Sequence, residues 1–180
     1  MKNINKYYNI ANRLNFNLRT ESSSGQDYNG FYRHYGKLIT LVDLDESQTV
    51  TAYYNREKLT FKYTVIHTFI HELTHFLQHK DNKYQDMALL GYMGKKTIHR
   101  NGIYAYNEIV ANTVAMLLYP NNDSINDNIH YVNMYIKNVE GTSRNTNKAA
   151  FNDRLKNDLK NDIDKYYNII KEQLEIEGLL

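Results

Sequence analysis

Residues 67–79 read HTFIHELTHFLQH. The stretch holds four of the chain's seven histidines, His67, His71, His75 and His79, each four positions after the one before. In and just ahead of it, Val65, Ile66, Phe69, Ile70, Leu73, Phe76 and Leu77 recur at intervals of three and four. That spacing lines apolar side chains along one side of an α-helix. The helical period sets in from Thr60, and Asp81 and Asn82 are expected to end it. The clearest helix of the chain thus carries its densest cluster of imidazoles, and the rest of the fold is read outward from it.

Upstream, NKYYNIANRLNF predicts a short helix through Tyr7, Ile10, Ala11 and Leu14. TESSSGQDYNG reads as a polar loop, and FYRHYGKLITLVDLD as two short strands with Gly36 at or near the turn. The segment 46–57 is polar, with room for an edge strand around Thr49 to Tyr54. Downstream, a short helical piece is expected around Tyr84 to Tyr92, then a loop in KKTIHRNG. A helix follows in YAYNEIVANTVAMLLY, stopped by Pro120 and NNDS. Further helices are read from about Ser124 to Val139 and from about Asn147 to Leu174, the last with Phe151, Leu155, Leu159, Ile163, Tyr166, Ile170 and Leu174 in one stripe. No internal repeat or flexible linker interrupts the pattern. The expectation is one α+β domain over 1–180, helix-dominated, with a small N-terminal sheet, a core at about 30–120 and a helical C-terminal extension at about 124–180.

At 180 residues, 42% hydrophobic and 23% charged, the chain has the balance of a globular domain large enough for a real core. Seventeen Tyr and no Trp make that core one that borders polar groups, since each phenol keeps a polar tip. The formal charge is +2 with acids and bases interleaved, so no contiguous basic block marks a nucleic-acid footprint. Zero Cys excludes disulfides, thiol nucleophiles and thiolate metal sites. The first residues, MKNINKYYNIANRLNF, lack the apolar run of a signal peptide, and no segment approaches membrane-spanning length, so a cytoplasmic protein without membrane contact is expected.

Residues 71–75, HELTH, have the H-E-x-x-H pattern. Side chains four apart on a helix start about 6 Å from each other, so the imidazoles of His71 and His75 can converge on one metal at about 2.0–2.1 Å. Glu72 lies beside them, placed to take a proton from a water that the metal acidifies as that water adds to a carbonyl. His67 and His79 lie a further turn away along the axis, with the face rotated by about 40° per four-residue step. They are expected as surface or hydrogen-bonding residues rather than ligands.

A third ligand has to come from elsewhere, and Glu108, His99, His130 and Asp86 are the candidates. Glu108 leads: it opens a strongly helical segment in which Ala111 and Ala115 share nearly its face, small enough to let that helix approach the first. His99 sits in the Gly-flanked segment read as a loop. Two His, one carboxylate and a water form a common catalytic zinc set, although other divalent metals accept the same donors.

HTFIHELTHFLQH followed by NEIVANTVAMLLYP resembles the zinc-metallopeptidase domains of the ImmA/IrrE family and the related metallopeptidase domain of ArdC-type antirestriction proteins. In that group a downstream helix supplies a Glu followed three residues later by Ala, then small and apolar residues, often to a Pro; here these are Glu108, Ala111, Ala115, Leu117, Leu118 and Pro120. The resemblance covers about residues 30–120. It implies a zincin-like fold, a Zn2+ cofactor held by His71, His75 and Glu108, and Glu72 as general base. It also implies an intracellular peptidase acting on a regulatory protein, often in a mobile-element setting. Thr74 departs from the pattern where Gly or Ala is common, no DNA-binding domain precedes the core, and the helices after Pro120 match nothing in the group.

Peptide hydrolysis also calls for a donor to the oxyanion. Tyr104, Tyr106, His99 and His130 are available, and Tyr106 is chosen because it lies two residues before Glu108. A zinc-bearing protein that captures a partner without turnover, or a metal-free helical interaction domain, are the readings from other classes. Glu72 favours the enzyme, since a structural zinc has no use for that carboxylate.

Overall fold

A computed structural model of the chain describes residues 4–21, 30–42, 48–54, 57–63, 65–81, 96–119 and 148–180. Over these residues run α1 (Ile4–Leu14), β1 (Asn17–Glu21), β2 (Gly30–Arg33), β3 (Leu38–Val42), β4 (Gln48–Tyr54), β5 (Glu57–Tyr63), α2 (Val65–Lys80), α3 (Lys96–Leu118) and α4 (Lys148–Ile176). The class is α+β and helix-dominated, as expected.

Helix α2 is the centre of the molecule. Twelve of its sixteen residues are buried, because the sheet, α1, α3 and α4 all pack on it. From α1, Tyr7 packs on Phe69 with ring centroids 4.7 Å apart and the planes tilted at 44°, and Phe16, just after α1, approaches Phe76 at 5.1 Å. From α4, Tyr166, Ile170 and Leu174 are fully buried and continue the same core. Helix α1 closes with Asn15 at a φ of 62° and the Phe16 amide donating to the Ala11 carbonyl at 3.0 Å. That turn sends the chain directly into β1 and buries Phe16.

The first sheet has the order β1-β3-β2, with β1 parallel and β2 antiparallel to β3. The β2–β3 turn bends through Gly36 and Lys37, at φ 83° and 48°, a backbone region that glycine occupies without strain. Central β3 is the apolar strand, with Ile39, Leu41 and Val42 buried. Strands β4 and β5 form a separate antiparallel hairpin with Gln48 opposite Tyr63.

Three expectations need correcting. Thr60 to Tyr63 belong to β5, and the helix begins at Val65. Lys96 to Gly102, read as a loop, form the opening turns of α3, so His99 stands on a helix. Asn17 to Glu21, taken partly as loop, form β1. The helices expected at Tyr84 to Tyr92 and Ser124 to Val139 lie outside the described residues, as do Asp86 and His130.

Candidate metal centre

Helices α2 and α3 bring His71, His75 and Glu108 together. The two imidazole Nε2 atoms are 3.0 Å apart, with the rings nearly perpendicular at 87°. The Glu108 carboxylate closes the third corner, Oε2 standing 3.2 Å from His71 Nε2 and Oε1 3.3 Å from His75 Nε2. Among the described residues these three form the group whose donor atoms lie close enough together to hold a metal ion. Donors at about 2.0–2.1 Å from a cation in tetrahedral arrangement are themselves about 3.3–3.4 Å apart. The observed spacing fits that geometry with little adjustment.

The close approach of the helices follows from their sequences. Ala111 and Ala115 are fully buried on α3, as is Val114, and small side chains let the backbones draw near. Thr74 is also fully buried, and its hydroxyl donates to the Ile70 carbonyl at 2.8 Å, so this buried polar group is satisfied inside its own helix.

Electrostatics separates the two glutamates. Burial alone pushes the Glu108 carboxyl up, but His75 and His71 beside it, by charge and by hydrogen bonds, hold it well below the usual carboxylate range. Glu108 is therefore an anion facing the two rings. Glu72 goes the other way: burial raises its pKa, and neighbouring Glu108 adds to the rise, against the opposing pull of His71 and His75. The backbone of Tyr32 in β2 lowers it in turn, by less. At Gly30 on the same strand, an added Cβ would stand 2.7 Å from Thr68 Cγ2 and 3.5 Å from Glu72 Cγ. Glycine is thus what allows β2 to lie flat against the helix next to Glu72.

The remaining histidines of α2 are accounted for locally. His67 is buried, with Nδ1 3.2 Å from the Tyr119 carbonyl, and burial lowers its pKa to about 4. Held neutral, it donates from Nδ1 to that carbonyl and links the start of α2 to the end of α3. His79 lies toward the surface, its Nδ1 3.0 Å from the Tyr32 hydroxyl and its ring 3.6 Å from that of His34. Neither belongs to the triangle.

Tyr106 is a correction. Its hydroxyl donates to Asp162 Oδ2 of α4 at 2.8 Å, and the residue is buried in the α3–α4 interface. Residues two apart on a helix point to opposite sides, so proximity to Glu108 in sequence turned this phenol away from the His71–His75–Glu108 cluster. The sequence reading missed Gln78, which is almost fully buried. Its amide contacts His75 Nδ1 at 2.9 Å and donates to the Asn107 carbonyl at 3.2 Å. A Gln three residues after a ligand, on the buried side of a helix, was the available signal.

No family model, curated protein or solved structure matches the chain. No described helix is long and apolar enough to cross a membrane.

Proposed function

We propose that the chain is a zinc-dependent peptidase of zincin-like architecture that hydrolyses peptide bonds, with His71, His75 and Glu108 as ligands. The observation that carries this reading is the cluster of two imidazole Nε2 atoms 3.0 Å apart, each within 3.2–3.3 Å of one Glu108 carboxylate oxygen, with Glu72 next to His71 in sequence. Two neutral nitrogens and one carboxylate form a donor set that zinc favours, and a lone structural site would more often be closed by four protein ligands. Zinc bound there acts as a Lewis acid toward water and the scissile carbonyl.

The rest belongs to the chain's own residues. Glu72 Oε accepts the proton as water oxygen bonds to the carbonyl carbon. Glu72 is buried directly beside His71, where its carboxylate is placed to hold that proton. The same carboxyl then returns the proton to the amide nitrogen as the C–N bond breaks. Glu108 supplies the negative charge that offsets the cation. We place the protein in the cytoplasm, acting on a protein or peptide substrate such as a regulatory protein.

Glu72→Gln keeps the shape and removes the base. Zinc-loaded wild type is expected to cleave members of an unbiased peptide library, and the variant to retain one zinc while losing cleavage by at least about a hundredfold. Equal cleavage by both proteins overturns the mechanism. Biological activity that survives in the variant points instead to partner capture without turnover.

A further inference from the structure

The polarity of one buried hydrogen-bond chain determines how the imidazole of His75 must carry its proton. The backbone carbonyl of Asn107 can only accept, so the Gln78 group 3.2 Å from it has to be the amide NH2. The other end of that amide is then the carbonyl oxygen, and it faces His75 Nδ1 at 2.9 Å. An oxygen acceptor at that distance requires a proton on Nδ1. In the neutral ring this places the Nε2 lone pair on the side of His71 and Glu108, where a cation would meet it. Amide orientation, ordinarily ambiguous, is fixed here because one partner has no hydrogen to give.

We propose that Gln78 is a positioning residue for metal binding: it selects the Nδ1–H tautomer of His75 and ties that ring to the backbone one residue before Glu108. The inference rests on the metal reading above. Gln78 is 1% exposed, so water does not readily replace it. A single side chain thereby registers a ligand of α2 against a ligand of α3, aligning the donors before a cation arrives. Partners that orient a ligating imidazole in this way commonly affect metal affinity by about ten- to a hundredfold.

The test compares wild type, Gln78→Met, which keeps size without hydrogen bonding, and Gln78→Glu, which keeps an acceptor for Nδ1–H. Zinc affinity is measured by chelator competition, and folding by circular dichroism. The Met variant should bind zinc about ten- to a hundredfold more weakly than wild type. The Glu variant should recover much of that loss, whereas a purely structural role would leave both variants alike. In zinc-loaded wild type, nitrogen-15 NMR should show a slowly exchanging proton on Nδ1 of His75 and none on Nε2. That measurement stands even if the variants do not fold, and a His75 bound to zinc through Nδ1 overturns the proposal. So does a folded Met variant with wild-type zinc affinity. A wild type that binds no zinc brings down the metal reading itself, a different outcome from zinc binding that ignores Gln78.

Discussion

Tyr106 shows how far a single side chain can be placed by neighbourhood in sequence. Burial and the adjoining Asp162 carboxylate both raise its pKa, so the phenol stays protonated and donates across to α4. An oxyanion donor would cost about a hundredfold or more in kcat when removed. Tyr106→Phe is instead expected to leave zinc affinity and kcat within about twofold while lowering stability by about 1–2 kcal/mol, read from urea unfolding. A hundredfold loss of kcat in a folded protein would restore Tyr106 to the catalytic site. His67 yields a prediction with a sign. Its folded pKa, about 4, lies below the ordinary value of 6.5, so the fold favours the neutral ring. The associated stability is complete above pH 6.5 and is lost as pH falls from there toward 4. Across that window the loss is on the order of 3 kcal/mol. Glu72, with its raised pKa, works in the opposite direction as pH rises, so the quantity to measure is a difference. Metal-free wild type should lose more stability than His67→Gln between pH 6.5 and 4, and identical slopes would contradict the buried neutral ring.

At the scale of elements, the strand β2 lies against α2 because position 30 has no side chain. A methyl there would stand 2.7 Å from Thr68 Cγ2, closer than real contacts allow, and 3.0 Å from the Thr40 carbonyl oxygen, a tight contact. Gly30→Ala should therefore destabilise by about 1–3 kcal/mol. Thr68→Ser removes the methyl in the way, so the double variant should be less destabilised than the sum of the two singles, a coupling read from a double-mutant cycle. Simple additivity would mean that β2 relaxes elsewhere. The sequence made this packing legible only in part. The period of Val65 to Leu77 announced α2, and Leu38 to Val42 announced the buried strand, because burial imposes a regular apolar spacing. Strand β1 was harder to see, since NLRTE offers one large apolar residue and sits at the sheet edge. In β5, Leu59, Phe61 and Tyr63 alternate with polar residues, but the helical run that follows obscured where one period gives way to the other. Gly102 concealed the opening of α3: a glycine costs a helix about 1 kcal/mol relative to alanine, which a 23-residue helix can absorb. The candidate ligands of α2 were readable for the opposite reason. His71 and His75 are local, set by the helix period alone, whereas Gln78 emerged only when α3 supplied Asn107 as its partner.

Over the whole molecule, α2 and α3 are held from behind by α4, whose role the sequence left open. In its described part α4 is core: Tyr166, Ile170 and Leu174 are fully buried. Its side chains also reach both helices, Tyr106 through Asp162 and Asp81 through Lys165 and Tyr166. The end of α4 is joined in turn to α1, where Arg13 donates to Gln173 at 2.8 Å and pairs with Glu177. The face that could hold a cation is the side of the α2–α3 pair where two imidazole nitrogens and the two oxygens of one carboxylate meet at 3.0–3.3 Å. Bare lone pairs at such distances repel, so protons or a cation must lie among them. A cation there joins two helices distant in sequence and binds the folded chain far better than the unfolded one, in which the ligands are scattered. Free zinc at a hundred times its Kd should then stabilise the fold by about 2.7 kcal/mol. For a chain of this length that is a rise in Tm of about 5–10 °C. His75→Ala should abolish the rise while still melting cooperatively, because α1, α4 and the sheet continue to hold α2. An equal rise in the variant would put the zinc somewhere other than between these helices, and no rise in wild type would leave the triangle without its cation.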